Sequence, residues 1–119
     1  MVFKVISDIE EYHNYLDGKD HDGIDHDDKL ILAYFTASWC GPCKMVSPVI
    51  ERIGTEKESV VVLKVDVDEC EEIATECNID CMPTFLFYRN KTREPIHRFS
   101  GADLEMLVQN INNFLESDN

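Results

Sequence analysis

Trp39-Cys40-Gly41-Pro42-Cys43-Lys44 decides how this chain is read. An apolar run, Leu30-Ile31-Leu32-Ala33-Tyr34-Phe35, leads into it. A helix-spaced segment, Met45-Val46-Ser47-Pro48-Val49-Ile50-Glu51-Arg52-Ile53, leads away. Two cysteines separated by two residues, where a buried strand hands over to a helix, are the pattern of a redox site. The physical reason lies in the helix start. Its first amides lack intrahelical partners, and the aligned peptide dipoles concentrate partial positive charge there. A thiol at that point ionises more readily, and the thiolate is the form that attacks disulfides. One turn later a second thiol is in reach to close a ring.

Outward from this stretch, strands and helices alternate. Residues 29–36 read as the buried strand, and a helix follows from Gly41 or Pro42 towards Lys57. Pro48 inside it removes one helical hydrogen bond and is expected to kink it. Residues 60–66 are β-branched and form another central strand. Upstream, residues 2–6 read as a first strand. Ser7 or Asp8 then caps a helix with Ile9, Tyr12, Tyr15 and Leu16 on one face. Downstream come a short helix over 69–77 and a strand pair, 84–88 and 96–99, around a polar turn. Leu104, Leu107, Val108, Ile111, Phe114 and Leu115 give an amphipathic last helix. This order predicts one α/β layered domain over residues 1–119.

The chain has 119 residues, with 11 basic against 24 acidic, a formal charge of −13. That balance repels nucleic acid and anionic membranes, so neither is expected as a partner. The first residues carry no long apolar core and turn acidic at once, unlike a secretory signal. No run is long enough to span a bilayer. Five cysteines cannot all pair internally, and a reducing compartment would keep them as thiols between catalytic cycles. A cytoplasmic location is expected, with the nucleus left open.

Three further motifs complete a family pattern: Met82-Pro83-Thr84-Phe85, Phe99-Ser100-Gly101-Ala102, and Val65-Asp66-Val67-Asp68 followed by Cys70, Cys77 and Cys81. With the hexapeptide they resemble the thioredoxins, and the later cysteines resemble the animal cytosolic branch. The resemblance covers nearly the whole chain apart from residues 18–28. It implies the thioredoxin fold, a central mixed β-sheet flanked by about four helices, and a thiol–disulfide oxidoreductase that reduces protein disulfides. Cys40 is then the attacking thiol and the more exposed of the pair. Cys43 is the resolving thiol that leaves a redox-active Cys40–Cys43 disulfide. Gly41 and Pro42 hold the pair close, and the proline favours the reducing end of a family whose potentials sit near ~−270 mV.

The same resemblance makes Trp39 a wall of the site, its indole donating to Asp68. It makes the Met82–Pro83 bond cis, a choice inexpensive only before proline. Met82, Thr84 and Gly101 then line the substrate groove. No bound cofactor is implied. Electrons come from NADPH through thioredoxin reductase, and peroxiredoxins are among the implied substrates of a monomeric protein.

One position departs from the family. Thioredoxins usually carry a buried aspartate six residues before the first cysteine, and Tyr34 stands there. A tyrosine hydroxyl, with an ordinary pKa of about 10, is a poor base at neutral pH. The substitution is expected to favour stability over rate, because a buried carboxylate is costly while a tyrosine buries ring area. Lys64 occupies the position of a lysine that partners the aspartate in some thioredoxins.

Cys70 and Cys77 are seven apart, so within one helix they would share a face roughly 10.5 Å apart along the axis, beyond disulfide reach. The matching cysteines of animal thioredoxins are regulatory. Here three free thiols are expected, two of them buried, with Cys81 the candidate for a dimer bridge on oxidation. Zinc wants two close pairs, and this chain has one, so no metal is expected there. His21, Asp22, Asp25, His26, Asp27 and Asp28 could hold a cation loosely but read better as a solvated insertion. Two competing functions stay open: an oxidase or isomerase on the same fold, and a redox-sensing or partner-binding module using the same groove.

Overall fold

The computed structural model describes residues 2–19, 29–89 and 91–116. The elements run β1 (Val2–Val5), α1 (Ile9–Leu16), β2 (Leu30–Thr36), α2 (Cys43–Glu56), β3 (Val60–Asp66), α3 (Glu71–Glu76), β4 (Thr84–Tyr88), β5 (His97–Ser100) and α4 (Leu104–Glu116). The sheet order is β1-β3-β2-β4-β5. β1, β3 and β2 are parallel, while β4 runs antiparallel to both β2 and β5. This is the mixed sheet of a thioredoxin fold.

Strand alternation divides the core into two layers. From β2, Ile31, Ala33 and Phe35 face α1 and α3, where Tyr12, Tyr15, Leu16 and Ile73 meet them. Leu30, Leu32 and Tyr34 face the opposite way, against Val46, Ile50 and Ile53 of α2 and Leu107 and Ile111 of α4. All seven residues of β2 are buried, as expected of a strand covered on both faces. Each such Leu, Ile or Phe contributes about 1.5–3 kcal/mol by leaving water. Val108, placed by its spacing on the apolar face of α4, is instead 40 % exposed. The buried stripe of that helix is narrower than the sequence suggests, because Leu107 and Ile111 alone are fully covered.

Local signals set the helix ends. Asp8 caps α1, its carboxylate accepting from the Glu11 amide at 2.8 Å, while the Glu11 carboxylate accepts from the Ser7 amide at 2.8 Å. α2 continues through Pro48. It approaches the sheet closely at Gly54, where a Cβ would lie 3.0 Å from Phe3 and 3.1 Å from Val62. At Gly101 the backbone has φ +108, a conformation that favours glycine.

The pairing register gathers the distant motifs. Thr36 ends β2 opposite Asp66, the end of β3. Because β4 is antiparallel, its first residue, Thr84, pairs with Phe35. The loop after β2, the turn after β3 and the Met82–Pro83 approach to β4 therefore meet at one end of the sheet.

Candidate active site

Cys40 and Cys43 are joined as a disulfide with their α-carbons 5.4 Å apart. The Cys40 amide donates to the Ala37 carbonyl at 3.1 Å, fixing the loop at the end of β2. The Cys43 amide, at the first residue of α2, donates to Cys40 Sγ at 3.2 Å. That contact makes the helix-start argument concrete: an amide at the helix start points at Cys40 Sγ, where it would stabilise negative charge. No acidic residue lies in the first turn of α2, and Lys44 does. The resemblance implied a more exposed Cys40. In the disulfide both are buried, at 4 % and 2 %, so exposure does not separate them and amide direction does.

Trp39 is 65 % exposed beside the disulfide, and its indole N–H donates to Asp68 Oδ2 at 2.8 Å. The Asp66 carboxylate accepts from the amides of Asp68 and Glu69, at 2.9 and 3.2 Å, which shapes the turn that presents Asp68. Gly41 and Pro42 are exposed. Met82 packs against Ala37, Cys40 and Cys43, the bond from Met82 to Pro83 is cis, and the Pro83 carbonyl accepts from the Gly101 amide at 2.9 Å. Thr84 is buried and donates to the Cys81 carbonyl at 2.6 Å, with Ser100 Oγ 2.9 Å away. The structure thus packs Met82 against the two cysteines, pairs Trp39 with Asp68, and ties Gly101 to Pro83 and Thr84 to Cys81.

Tyr34 lies under the site, 1 % exposed, its ring stacked on Phe85 at 5.6 Å. Its hydroxyl lies 2.6 Å from Ser47 Oγ, 3.2 Å from the Cys43 carbonyl and 3.3 Å from Thr36 Oγ1. Ser47 also donates to the Cys43 carbonyl at 2.9 Å. Lys64 sits opposite Tyr34 in the register. It lines a cavity of about 280 Å³ beside the disulfide with Thr36, Ser47 and Asp66. Sequence reading passed over Ser47. Its signal was a hydroxyl one helical turn after Cys43, ahead of Pro48.

The other cysteines correct two expectations. Cys70 and Cys77 do not lie within one helix: α3 spans only Glu71–Glu76, with Cys70 as its N-cap and Cys77 as its C-cap, and both pack against the same core layer. Two free cysteines were expected to be buried, yet only Cys70 is; Cys77 is half-buried and Cys81 exposed. Cys70 Sγ points at the Ile6 carbonyl, 3.4 Å away, and burial first, then Glu69 and other carboxylates, pushes its thiol up. Cys77 Sγ lies 3.9 Å from the Tyr12 hydroxyl and 4.0 Å from that of Tyr88. Burial pushes the Cys77 thiol up too. The two phenols bond each other at 2.8 Å, and burial raises both.

Among the described residues no cluster of His, Cys, Asp and Glu could hold a metal ion. No described helix is long and apolar enough to cross a membrane. The His21–Asp28 candidates for loose cation binding lie outside the described residues.

A disulfide at a strand-to-helix junction, with an amide aimed at its first sulfur, defines the class: a thiol–disulfide oxidoreductase. The family model described as Thioredoxin matches residues 14–113. A marmoset (Callithrix jacchus) thioredoxin is 46% identical over 88 residues, 74% of this chain and 82% of its own length. A king cobra (Ophiophagus hannah) thioredoxin is 37% identical over 112 residues, 94% of this chain and 98% of its own. The crystal structure of Malassezia sympodialis thioredoxin superposes with a TM-score of 0.79 at 36% identity, covering 95% of this chain and 93% of that one. This chain belongs to the thioredoxin family. It is a protein-disulfide reductase whose redox-active disulfide is Cys40–Cys43.

Proposed function

We propose that Cys40 is the attacking thiol and Cys43 the resolving one. The Cys40 thiolate attacks one sulfur of a target disulfide. A mixed disulfide forms, and the other target sulfur leaves with its electron pair and takes a proton. The Cys43 thiolate then attacks Cys40 Sγ and expels the second target sulfur, so the target gains two electrons and Cys40–Cys43 is oxidised. The observation that carries this assignment is the Cys43 amide aimed at Cys40 Sγ, because a donor to sulfur stabilises the thiolate.

Family membership supports the remaining parts of this reading. Trp39, Asp68, Gly41, Pro42 and Tyr34 shape the site, and Met82, Thr84 and Gly101 receive an extended substrate segment beside Pro83. NADPH recharges the disulfide through thioredoxin reductase, and peroxiredoxins are among the substrates. The protein works in the cytoplasm, with the nucleus open to it, as one monomeric domain of the animal type, without nucleic acid or membrane as partner. On oxidation, exposed Cys81 links two copies. A dimer on a non-reducing gel that persists in Cys81→Ser would overturn that last assignment.

The decisive experiment is insulin-disulfide reduction with NADPH and a thioredoxin reductase. Turnover is expected in the wild type and absent in Cys40→Ser, and Cys43→Ser should trap a mixed disulfide on Cys40. A wild type that stays inactive even with dithiothreitol as reductant would turn the reading towards a partner-binding module.

A further inference from the structure

We propose that Ser47, acting with Tyr34, is a positioning residue for the resolving step. The two hydroxyls pin the Cys43 carbonyl to β2 and hold the Cys43 thiol within reach of Cys40 while Cys40 is bound to substrate. This rests on the assignment of Cys43 as resolving thiol.

The three contacts close a triangle: Ser47 Oγ to the Cys43 carbonyl at 2.9 Å, Tyr34 hydroxyl to the same carbonyl at 3.2 Å, and 2.6 Å between the hydroxyls. Each hydroxyl has one hydrogen to give, and a 2.6 Å separation requires a hydrogen between the two oxygens. When Tyr34 gives its hydrogen to Ser47, Ser47 donates to the Cys43 carbonyl; when Ser47 gives its hydrogen to Tyr34, Tyr34 donates to that carbonyl at 3.2 Å or to Thr36 Oγ1 at 3.3 Å. In each arrangement the chain ends on an oxygen and never on a sulfur. It is a clamp, not a proton relay.

The clamp sits where the helix needs one. Pro48 has no N–H, so the Lys44 carbonyl lacks its donor one turn on. The turn that carries Cys43 is held by fewer helical bonds than an unbroken helix would supply. Tyr34 supplies an anchor outside the helix, since it is stacked on Phe85 in a strand paired on both sides. Cys40 is tied to the residue that follows this strand through its amide bond to the Ala37 carbonyl. Both cysteines are therefore positioned from β2.

Resolution is an intramolecular attack, and its rate depends on the fraction of time Cys43 lies in line with the Cys40–substrate bond. The first attack, by Cys40 on substrate, draws on the Cys43 amide, which the clamp does not touch, and not on the placing of the Cys43 thiol. Loosening the clamp should slow one step and leave the other alone.

The test follows the mixed disulfide of the full chain with a disulfide-containing peptide, by rapid acid quench and mass spectrometry. Ser47→Ala is expected to lengthen its lifetime about tenfold, the effect of one lost hydrogen bond. Formation, measured in a Cys43→Ser background, should stay within about twofold. Ser47→Thr, which keeps the hydroxyl, should restore the lifetime. An unchanged lifetime in Ser47→Ala overturns the proposal, as does equal slowing of both steps or a failed rescue by threonine. Tyr34→Phe keeps the ring and carries the same readout if Ser47→Ala does not fold. If Cys43→Ser traps no mixed disulfide at all, the resolving assignment falls first and takes the clamp with it. If the trap forms and Ser47→Ala changes nothing, the clamp alone is refuted.

Discussion

Cys43 opens α2 and Cys70 caps α3, so in both places a cysteine meets the positive end of a helix. The dipole acting alone would favour thiolate in each. Their surroundings differ. α2 has 14 residues, no acid in its first turn, and an amide donating to Cys40 Sγ. α3 has 6 residues with Glu71 and Glu72 in its first turn. Its cap thiol is buried, and Glu69, Asp66, Asp8 and Glu11 reinforce the upward push that burial begins. The thiols are equally buried, at 4 %, 2 % and 5 % for Cys40, Cys43 and Cys70, so a helix start makes a nucleophile only when the charges and donors around it agree. Cys77, at the other end of α3, ends in the same condition as Cys70 for a related reason: burial outweighs the opposing bonds from the Tyr12 and Tyr88 hydroxyls.

The strongest way to break this comparison is to alkylate the fully reduced protein and map the modified peptides by mass spectrometry. Cys40 should react on the order of a hundredfold faster than Cys70 at neutral pH, since an amide donor favours its thiolate while burial and carboxylates oppose that of Cys70. The pH dependence gives the sign. A thiol pushed up gains thiolate about tenfold per pH unit until it passes its own pKa. Cys70 and Cys77 labelling should therefore still be climbing at pH values where Cys40 has levelled off. Similar rates for Cys40 and Cys70 at neutral pH would end the argument.

A finer test exchanges the charges. Lys44→Glu gives α2 the acidic first turn that α3 already has. It should raise the pH at which Cys40 becomes reactive and slow its neutral-pH labelling roughly two- to fivefold, the range of a helix-end charge. Glu69→Gln should speed Cys70 by less, about twofold, because burial rather than Glu69 is its leading cause. If Glu69→Gln outdoes Lys44→Glu, carboxylates and not burial keep Cys70 inert.

The residues legible in advance were those whose chemistry is local. Cys-Gly-Pro-Cys needs only one turn of chain to bring its sulfurs together, and the apolar runs of β2 and β3 announce strands covered on both faces. Trp39 and Asp68 were paired through family resemblance, and the 2.8 Å bond between them depends on the register that ends β2 beside β3. Cys70 and Cys77 were misplaced because their fate hangs on two residues of helix length. The spacing alone put both in one helix, whereas the structure ends α3 between them. Tyr34 was recognised as unusual, but its partners could not be named from spacing, as Ser47 and the Cys43 carbonyl lie on another element.

By itself the sequence determined the class of chemistry, thiol–disulfide exchange, because a dithiol one helical turn apart at a strand end carries its chemistry in neighbouring residues. It also determined the order of elements, through hydrophobic periodicity. The tertiary structure alone decided which distant groups surround that dithiol and which cysteines are denied ionisation. Burial, charge and hydrogen-bond geometry at a thiol are sums over neighbours from many parts of the chain. The Tyr12–Tyr88 bond beside Cys77 joins residues 76 positions apart, a distance over which no local pattern carries information.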